Sequence, residues 1–269
     1  MSAHKVNAEG LTEDRLLGGR LRLLQPDRGA RVSTDTLLLA ACVQPLPGER
    51  VIEAGSGSGG AALCLAARCP DALITGIDMD RDMVDLASRN AALNDFQDRV
   101  SFLEARVTER PALLPRGHFD HAMANPPYFE DQTSFASPAE MRARAFIDRE
   151  ARLADWVAFC LDMVRERGSV SFIHRADRLD ELIALLYGRA GEIVIQPLWP
   201  RAGLPAKRVI VQARKGMKGV SMLMPGLVLH EASGAFTEMA DAIFREAKAL
   251  DLSRAAWSRL MHPGRSPQN

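Results

Sequence analysis

The sequence predicts an α/β fold in which a mostly parallel sheet carries helices on both faces. Three observations lead there. From residue 50 onward, short apolar runs alternate with helix-like stretches, the order that builds parallel sheets. The first run, Arg50-Val-Ile-Glu-Ala54, enters a glycine-rich turn, Gly55-Ser-Gly-Ser-Gly-Gly60, which opens an alanine-rich helix. The fourth run, Phe119 to Ala124, stops at Asn125-Pro-Pro-Tyr128.

Taken in order, residues 1 to 12 read as disordered, and Leu16 to Leu24 fits a strand pair around Gly18-Gly19. Ser33-Thr-Asp-Thr36 caps an apolar helix, Leu37 to Val43. Strands follow at 50–54, Leu73 to Ile77, Val100 to Leu103, Phe119 to Ala124, Ser169 to His174, Glu192 to Leu198 and Val209 to Ala213. Helices are expected near 61–68, 81–93, 151–166 and 177–189, with Asp80 placed to cap the second. Pro197 to Pro205 is too rigid and too short for a crossover helix, so the last two strands should be antiparallel neighbours. The expected organisation is an N-terminal extension over 1–31, partly disordered with a short strand pair, a main domain over 32–250 and a mobile tail over 251–269.

The two prolines of Asn125-Pro126-Pro127-Tyr128 forbid both a helix and a central strand, so the fourth strand must end there. An amide side chain, bare carbonyls and an aromatic ring then meet at a strand's carboxyl end, where open α/β sheets bind ligands. That set suits methylation of a planar nitrogen. An exocyclic amine is a poor nucleophile because its lone pair is conjugated. The Asn125 side-chain oxygen and the Pro126 carbonyl can accept its two hydrogens and localise the lone pair as charge develops. Tyr128 offers a stacking face. The bland alternative is a strand-ending turn with a buried tyrosine.

The glycine turn lets the backbone approach a ligand closely. Glu53 before it suits a cationic or amine-bearing ligand better than a pyrophosphate, and no Gly-Lys-Ser/Thr follows. Asp78, ending the second strand, is the usual kind of partner for ribose hydroxyls.

Composition narrows the classes. Lys plus Arg and Asp plus Glu both number 34 in 269 residues, so any nucleic-acid surface must be a local patch. Cys42, Cys64, Cys69 and Cys160 have no metal-ligand spacing and read as reduced core residues of a cytoplasmic protein. No apolar stretch is long enough to span a membrane, and Met1 to Gly10 lacks a signal-peptide pattern.

Glu53-x-Gly55-x-Gly57-x-Gly59, Asp78 and Asn125-Pro126-Pro127-Tyr128 together resemble the motif set of class I S-adenosylmethionine-dependent amino-methyltransferases, over roughly residues 32 to 214. The resemblance implies a Rossmann-like fold with a mostly parallel seven-stranded sheet, its last strand antiparallel. It implies S-adenosyl-L-methionine as cofactor, held by Thr34, Asp35, Glu53, Gly55, Gly57, Gly59, Asp78, Met79, Glu104, Ala105 and Asn125, and no metal. Asn125, Pro126, Pro127 and Tyr128 become the catalytic segment.

Four further stretches are similar to the bacterial enzymes that methylate an adenine N6 beside the valine-tRNA anticodon. They are Val32-Ser-Thr-Asp-Thr-Leu-Leu-Leu-Ala40, Ser137-Pro-x-x-x-Arg142-x-Arg144-Ala145, Leu204-Pro-Ala-Lys-Arg208-Val-Ile-Val and Leu227-Val-Leu-His-Glu231 with Phe236-Thr-Glu-Met-Ala. The resemblance departs at Glu53, commonly Asp, and at Arg106, where the family has an Asp able to accept from the cofactor's adenine amine. Arg cannot accept, so either Glu104 or a backbone carbonyl takes over or cofactor affinity is lower, which leaves room for a changed substrate.

A tRNA substrate would meet Arg15, Arg20, Arg22, Arg142, Arg144, Lys207 and Arg208. Removing residues 1 to 31 is expected to weaken RNA binding and spare cofactor binding. The expected enzyme is a monomer or weak homodimer. Competing acceptors are a protein glutamine amide and an adenine of rRNA or DNA. The glutamine enzymes carry a helical N-terminal domain for which the thirty residues before Ser33 are too short. A non-catalytic RNA-binding module is disfavoured by the intact Asn125 to Tyr128. A dehydrogenase is disfavoured because no hydride-handling His or Lys/Tyr pair sits at the expected edge.

Overall fold

A computed structural model describes residues 10–28, 31–109, 113–127, 151–253, 256 and 258. The chain opens on an antiparallel hairpin of β1 (Leu11–Leu16) and β2 (Leu21–Pro26), so Leu11 and Thr12 are ordered strand rather than part of a disordered leader. Then come α1 (Thr34–Cys42), β3 (Arg50–Ala54), α2 (Gly60–Arg68), β4 (Leu73–Asp78), α3 (Arg81–Leu93), β5 (Val100–Glu104) and β6 (Phe119–Ala124). After the undescribed stretch follow α4 (Leu153–Met163), β7 (Val164–Arg175), α5 (Leu179–Leu186), β8 (Ala190–Arg201) and β9 (Arg208–Lys215). The last described elements are β10 (Met222–Leu223), β11 (Leu227–His230) and α6 (Glu238–Glu246).

The main sheet runs β10-β8-β9-β7-β6-β3-β4-β5, with β11 also on β8. Strands β5, β4, β3, β6 and β7 are parallel neighbours, and β9 lies antiparallel between β7 and β8. Seven long strands therefore match the expected sheet and its antiparallel member. The sheet nonetheless has nine strands, because β10 and β11 extend the outer edge of β8. With two residues β10 is too short a pattern to read, whereas β11 falls on the Leu227 to Glu231 stretch, which resembles the family's terminal strand.

Two helices are shorter than their periodicity implies. The 151–166 expectation shrinks to α4 because Val164 already pairs with Phe119 of β6, and Arg167 then turns the chain at φ 63°. The 177–189 expectation shrinks to α5, closed by Gly188 at φ 75°.

Alternation along each strand splits the core. Val51, Ile74 and Ile173 face the hairpin, α1, α2, α3 and α6, whereas Ile52, Ile77 and Phe172 face α4 and α5. Complete removal of such side chains from water contributes about 1.5–3 kcal/mol each. Cys42, Cys64, Cys69 and Cys160 are free thiols, and burial pushes Cys42 and Cys64 up to about 12, which keeps them protonated and inert. Among the described residues no helix is long and apolar enough to cross a membrane.

Candidate active site

The parallel strands β3, β4, β5 and β6 all end at one edge, and a cavity of about 370 Å³ opens there. Backbone geometry shapes its floor. Gly55 leaves β3 at φ +70°, and a Cβ there would fall 2.5 Å from Cη2 of Trp156 in α4. At Gly60 a Cβ would meet Val32 Cγ2 at 2.3 Å, so the segment before α1 lies against the first turn of α2. The turn is tied to β4 by Ser56 N–H donating to the Ile77 carbonyl at 2.9 Å and Gly57 N–H donating to Asp78 Oδ2 at 2.8 Å.

Two acids set the electrostatics. Glu53 is 4% exposed, and its Oε2 accepts from Ala62 N–H at 2.7 Å. Burial pushes its carboxyl up to about 8, against the Ala62 hydrogen bond, with the Asp78 charge raising it further. Asp78 spends one oxygen on Gly57 and the other on Asp80 N–H at 3.0 Å. Asp80 in turn caps α3 by accepting from Asp82 and Met83, the role its position implies.

Of the residues singled out in the sequence, Glu53, Gly55, Gly57, Asp78, Met79, Ala105, Asn125 and Pro127 line this cavity together. Thr34, Asp35, Gly59, Glu104 and Pro126 are not in its wall. Asp35 accepts from Arg208 Nε at 2.8 Å. Gly59 turns left-handed at φ +87°, packed over Phe102. Glu104 is exposed beside Arg81 at 3.5 Å, and Pro126 is buried. Of the proposed RNA contacts, Arg22 forks onto Glu13, Arg208 holds Asp35 and Arg20 donates to the Glu246 carbonyl. Tyr128, Arg142 and Arg144 lie outside the described residues.

Sequence reasoning missed Arg31, Thr36, Val107 and Trp156 as wall residues. Thr36 and Arg31 carried a signal, one inside the conspicuous Val32 to Ala40 stretch and the other just before it. The meeting of Gly55 with Trp156 is a contact across a hundred residues that no local pattern encodes. Arg106 also lines the wall, within 3.9 Å of Met79 Sδ.

The wall fits an adenosyl amino acid. Glu53 is a buried acid suited to an ammonium, Asp78 is suited to hydroxyls, and Met79, Ala105 and Val107 offer apolar flanks to a planar base. Ser56 Oγ is buried there without a hydrogen-bond partner among the described residues, the state of a group awaiting a ligand.

A mostly parallel sheet with a glycine turn, paired acids and Asn-Pro-Pro at one carboxyl edge defines a methyltransferase, and a family model described as a methyltransferase domain matches residues 51–143. A tRNA1(Val) (adenine(37)-N6)-methyltransferase of Aeromonas hydrophila is 30% identical over 214 residues, covering 77% of this chain and 86% of that protein. The enzyme of the same description from Porphyromonas gingivalis is 28% identical over 218 residues, covering 77% and 84%. A crystal structure described as a predicted O-methyltransferase, protein Atu636 from Agrobacterium tumefaciens, superposes with a TM-score of 0.68 at 30% identity, covering 81% of this chain and 98% of that one. The chain belongs to the family of tRNA1(Val) (adenine(37)-N6)-methyltransferases. It is an S-adenosylmethionine-dependent enzyme.

Proposed function

We propose that this enzyme methylates the exocyclic N6 of an adenine in the anticodon loop of a valine-type tRNA, in the cytoplasm. The observation that carries the reading is the sharing of one cavity by Asn125 and Pro127 with Glu53, Gly55 and Asp78. Acceptor chemistry and cofactor chemistry then meet at adjacent strand ends.

When bound, S-adenosylmethionine supplies an electrophilic methyl group. The chain's residues do the rest. Glu53 takes the ammonium end, and Asp78 takes the ribose hydroxyls while fixing the Gly57 turn. Asn125 Oδ1 and the Pro126 carbonyl accept the two amine hydrogens of the target base. Those bonds strengthen as the nitrogen turns pyramidal, so they favour the transition state over the ground state. Tyr128 supplies the stacking face. An anticodon-loop adenine must leave its stack to enter.

The exposed Arg15 and Lys207 are the side chains of this half best free to meet phosphate, Arg20 first having to release the Glu246 carbonyl, with Arg142 and Arg144 on the segment after Tyr128. Arg22 and Arg208 would first have to exchange Glu13 and Asp35 for it.

A glutamine carboxamide offers the same two hydrogens, so the test carries both acceptors. The enzyme is incubated with labelled methyl donor and, separately, an unmodified valine tRNA transcript, rRNA, duplex DNA and a glutamine-bearing protein substrate. Nucleoside mass spectrometry should find N6-methyladenosine in the tRNA. Methyl transfer to protein amide alone would overturn the assignment.

A further inference from the structure

Arg31 has no role in the chemistry above, yet it lines the cavity. Its guanidinium is fixed from the hairpin side. Nη1 donates to Thr12 Oγ1 at 2.9 Å and to the Pro26 carbonyl, and Nη2 donates to Asp14 Oδ2. Behind them, Gln25 Nε2 donates to the same Asp14 oxygen at 2.6 Å, and Gln25 Oε1 accepts from Val32 N–H at 2.7 Å. Thr12 and Gln25 are only 5% and 3% exposed, so this clasp is rigid.

Three of the five guanidinium hydrogens are used by those bonds. Among the described residues the Nε–H and one Nη2–H have no partner, although the side chain is 30% exposed. Neighbouring N–H groups of a fixed guanidinium form the two-pronged surface that a carboxylate fits.

Position says which carboxylate. Val32 packs on Gly60 at the start of α2, and the same first turn of that helix holds Glu53 through Ala62 N–H. Arg31 therefore stands at the Glu53 end of the cavity. Met79, Ala105 and Val107 lie beyond Asp78, on the ends of β4 and β5. A ligand with its base over β5 and its ribose at Asp78 points its amino-acid end at Glu53 and Arg31. That end is a zwitterion, and this end of the wall offers one acid, Glu53, and one cation, Arg31.

We propose that Arg31 receives the α-carboxylate of the cofactor, and that the N-terminal hairpin sets the arginine in place through Thr12, Asp14 and Pro26. The proposal rests on the cofactor reading of this cavity. It makes the hairpin part of the cofactor site and Arg31 a binding residue that bridges two carboxylates.

The test is calorimetry on the full chain with S-adenosylmethionine, with its decarboxylated analogue, which lacks only the carboxylate, and with methylthioadenosine, which lacks the whole amino-acid end. Wild type should prefer S-adenosylmethionine to the decarboxylated form by about 10- to 100-fold, the range for charge-assisted hydrogen bonds. Arg31→Gln should bring the two ligands within about 2-fold by weakening S-adenosylmethionine alone, with methylthioadenosine unchanged. Arg31→Lys should keep part of the preference. Asp14→Asn, which loosens the clasp and leaves the arginine, should give an intermediate loss.

If Arg31→Gln melts far below wild type, the lysine and Asp14→Asn variants decide by the same ligand ratio. Wild-type discrimination in a folded Arg31→Gln variant overturns the proposal. So does a loss confined to binding of unmodified tRNA, which would make Arg31 a phosphate contact. If wild type binds none of the three ligands, the cofactor reading itself fails, and Arg31 falls with it.

Discussion

Glu53→Gln should abolish the pH dependence of cofactor binding. A carboxyl pushed up to about 8 is roughly nine-tenths protonated in the free enzyme at pH 7. An incoming ammonium group needs the ionised form, so binding must expel close to one proton at that pH. Affinity should rise about tenfold from pH 6 to pH 7 and flatten above pH 8. Calorimetry at pH 7 in two buffers of different ionisation heat measures the proton release directly. Glu53→Gln keeps the shape and an oxygen for Ala62 N–H but cannot ionise. Its proton release should vanish, and its affinity at pH 8 should fall by about 10-fold or more.

The same shift acts on stability with a definite sign. The folded value lies above the ordinary 4.5, so the contribution of this group is complete below pH 4.5 and is lost as pH rises through about 8. The ligand-free enzyme should therefore melt lower at pH 8.5 than at pH 6.5 through this group, and Glu53→Gln should flatten that difference. Identical heats in both buffers, with affinity level from pH 6 to pH 8, would show that Glu53 is not a neutral acid waiting for a cation.

Asn125→Ala, checked for folding by thermal melting, should lower single-turnover methylation of tRNA by roughly 100- to 1000-fold with cofactor affinity nearly unchanged. Tyr128→Ala should chiefly raise the apparent KM for RNA, by the roughly 1–3 kcal/mol of a stacking face, whereas Tyr128→Phe should be mild. Asp78→Ala should weaken S-adenosylhomocysteine in calorimetry by about 1–3 kcal/mol, since the Gly57 turn and the ribose lose the same acceptor. Deleting residues 1 to 31 should weaken cofactor binding and lower the melting temperature. That is the reverse of the sequence-based expectation, which has cofactor binding spared; a truncated enzyme with wild-type affinity would restore it.

What the sequence made legible were features encoded locally. Prolines after Ala124 stop β6, glycines after Ala54 turn β3, and Asp80 caps α3; each effect lies within a few residues of its cause. The seven long strands were readable because each carries five or more residues of apolar pattern. Partnership across the chain was not readable. Nothing near Asp35 announces Arg208, so a residue assigned to the cofactor and one assigned to RNA turn out to hold each other. Glu104 was a candidate acceptor by register, yet its strand ends with the side chain outside the cavity wall, beside Arg81.

The hairpin shows the same limit from the other side. Its arginines have few acids close in sequence, which makes residues before Ser33 look like a basic appendage. Their alternation hides the other face: Leu21 and Leu23 are fully buried in the same core as Leu63 and Val51. Asn90 of α3 and Asn94, which caps its C-terminus, then complete β2 as a neighbouring strand would. Asn90 accepts from Leu24 N–H and donates to the Leu24 carbonyl, while Asn94 does the same for Arg22. Asn90, with no exposure, also donates to the Ser58 carbonyl inside the glycine turn. A single buried amide thus satisfies the hairpin edge and the glycine turn together. Losing the hairpin would leave it with unmet hydrogen bonds beside the turn, a cost of about 1–3 kcal/mol for each buried group before any apolar surface is counted. The segment that looked most like a handle for RNA is therefore built into the wall of the cavity proposed to receive the methyl donor.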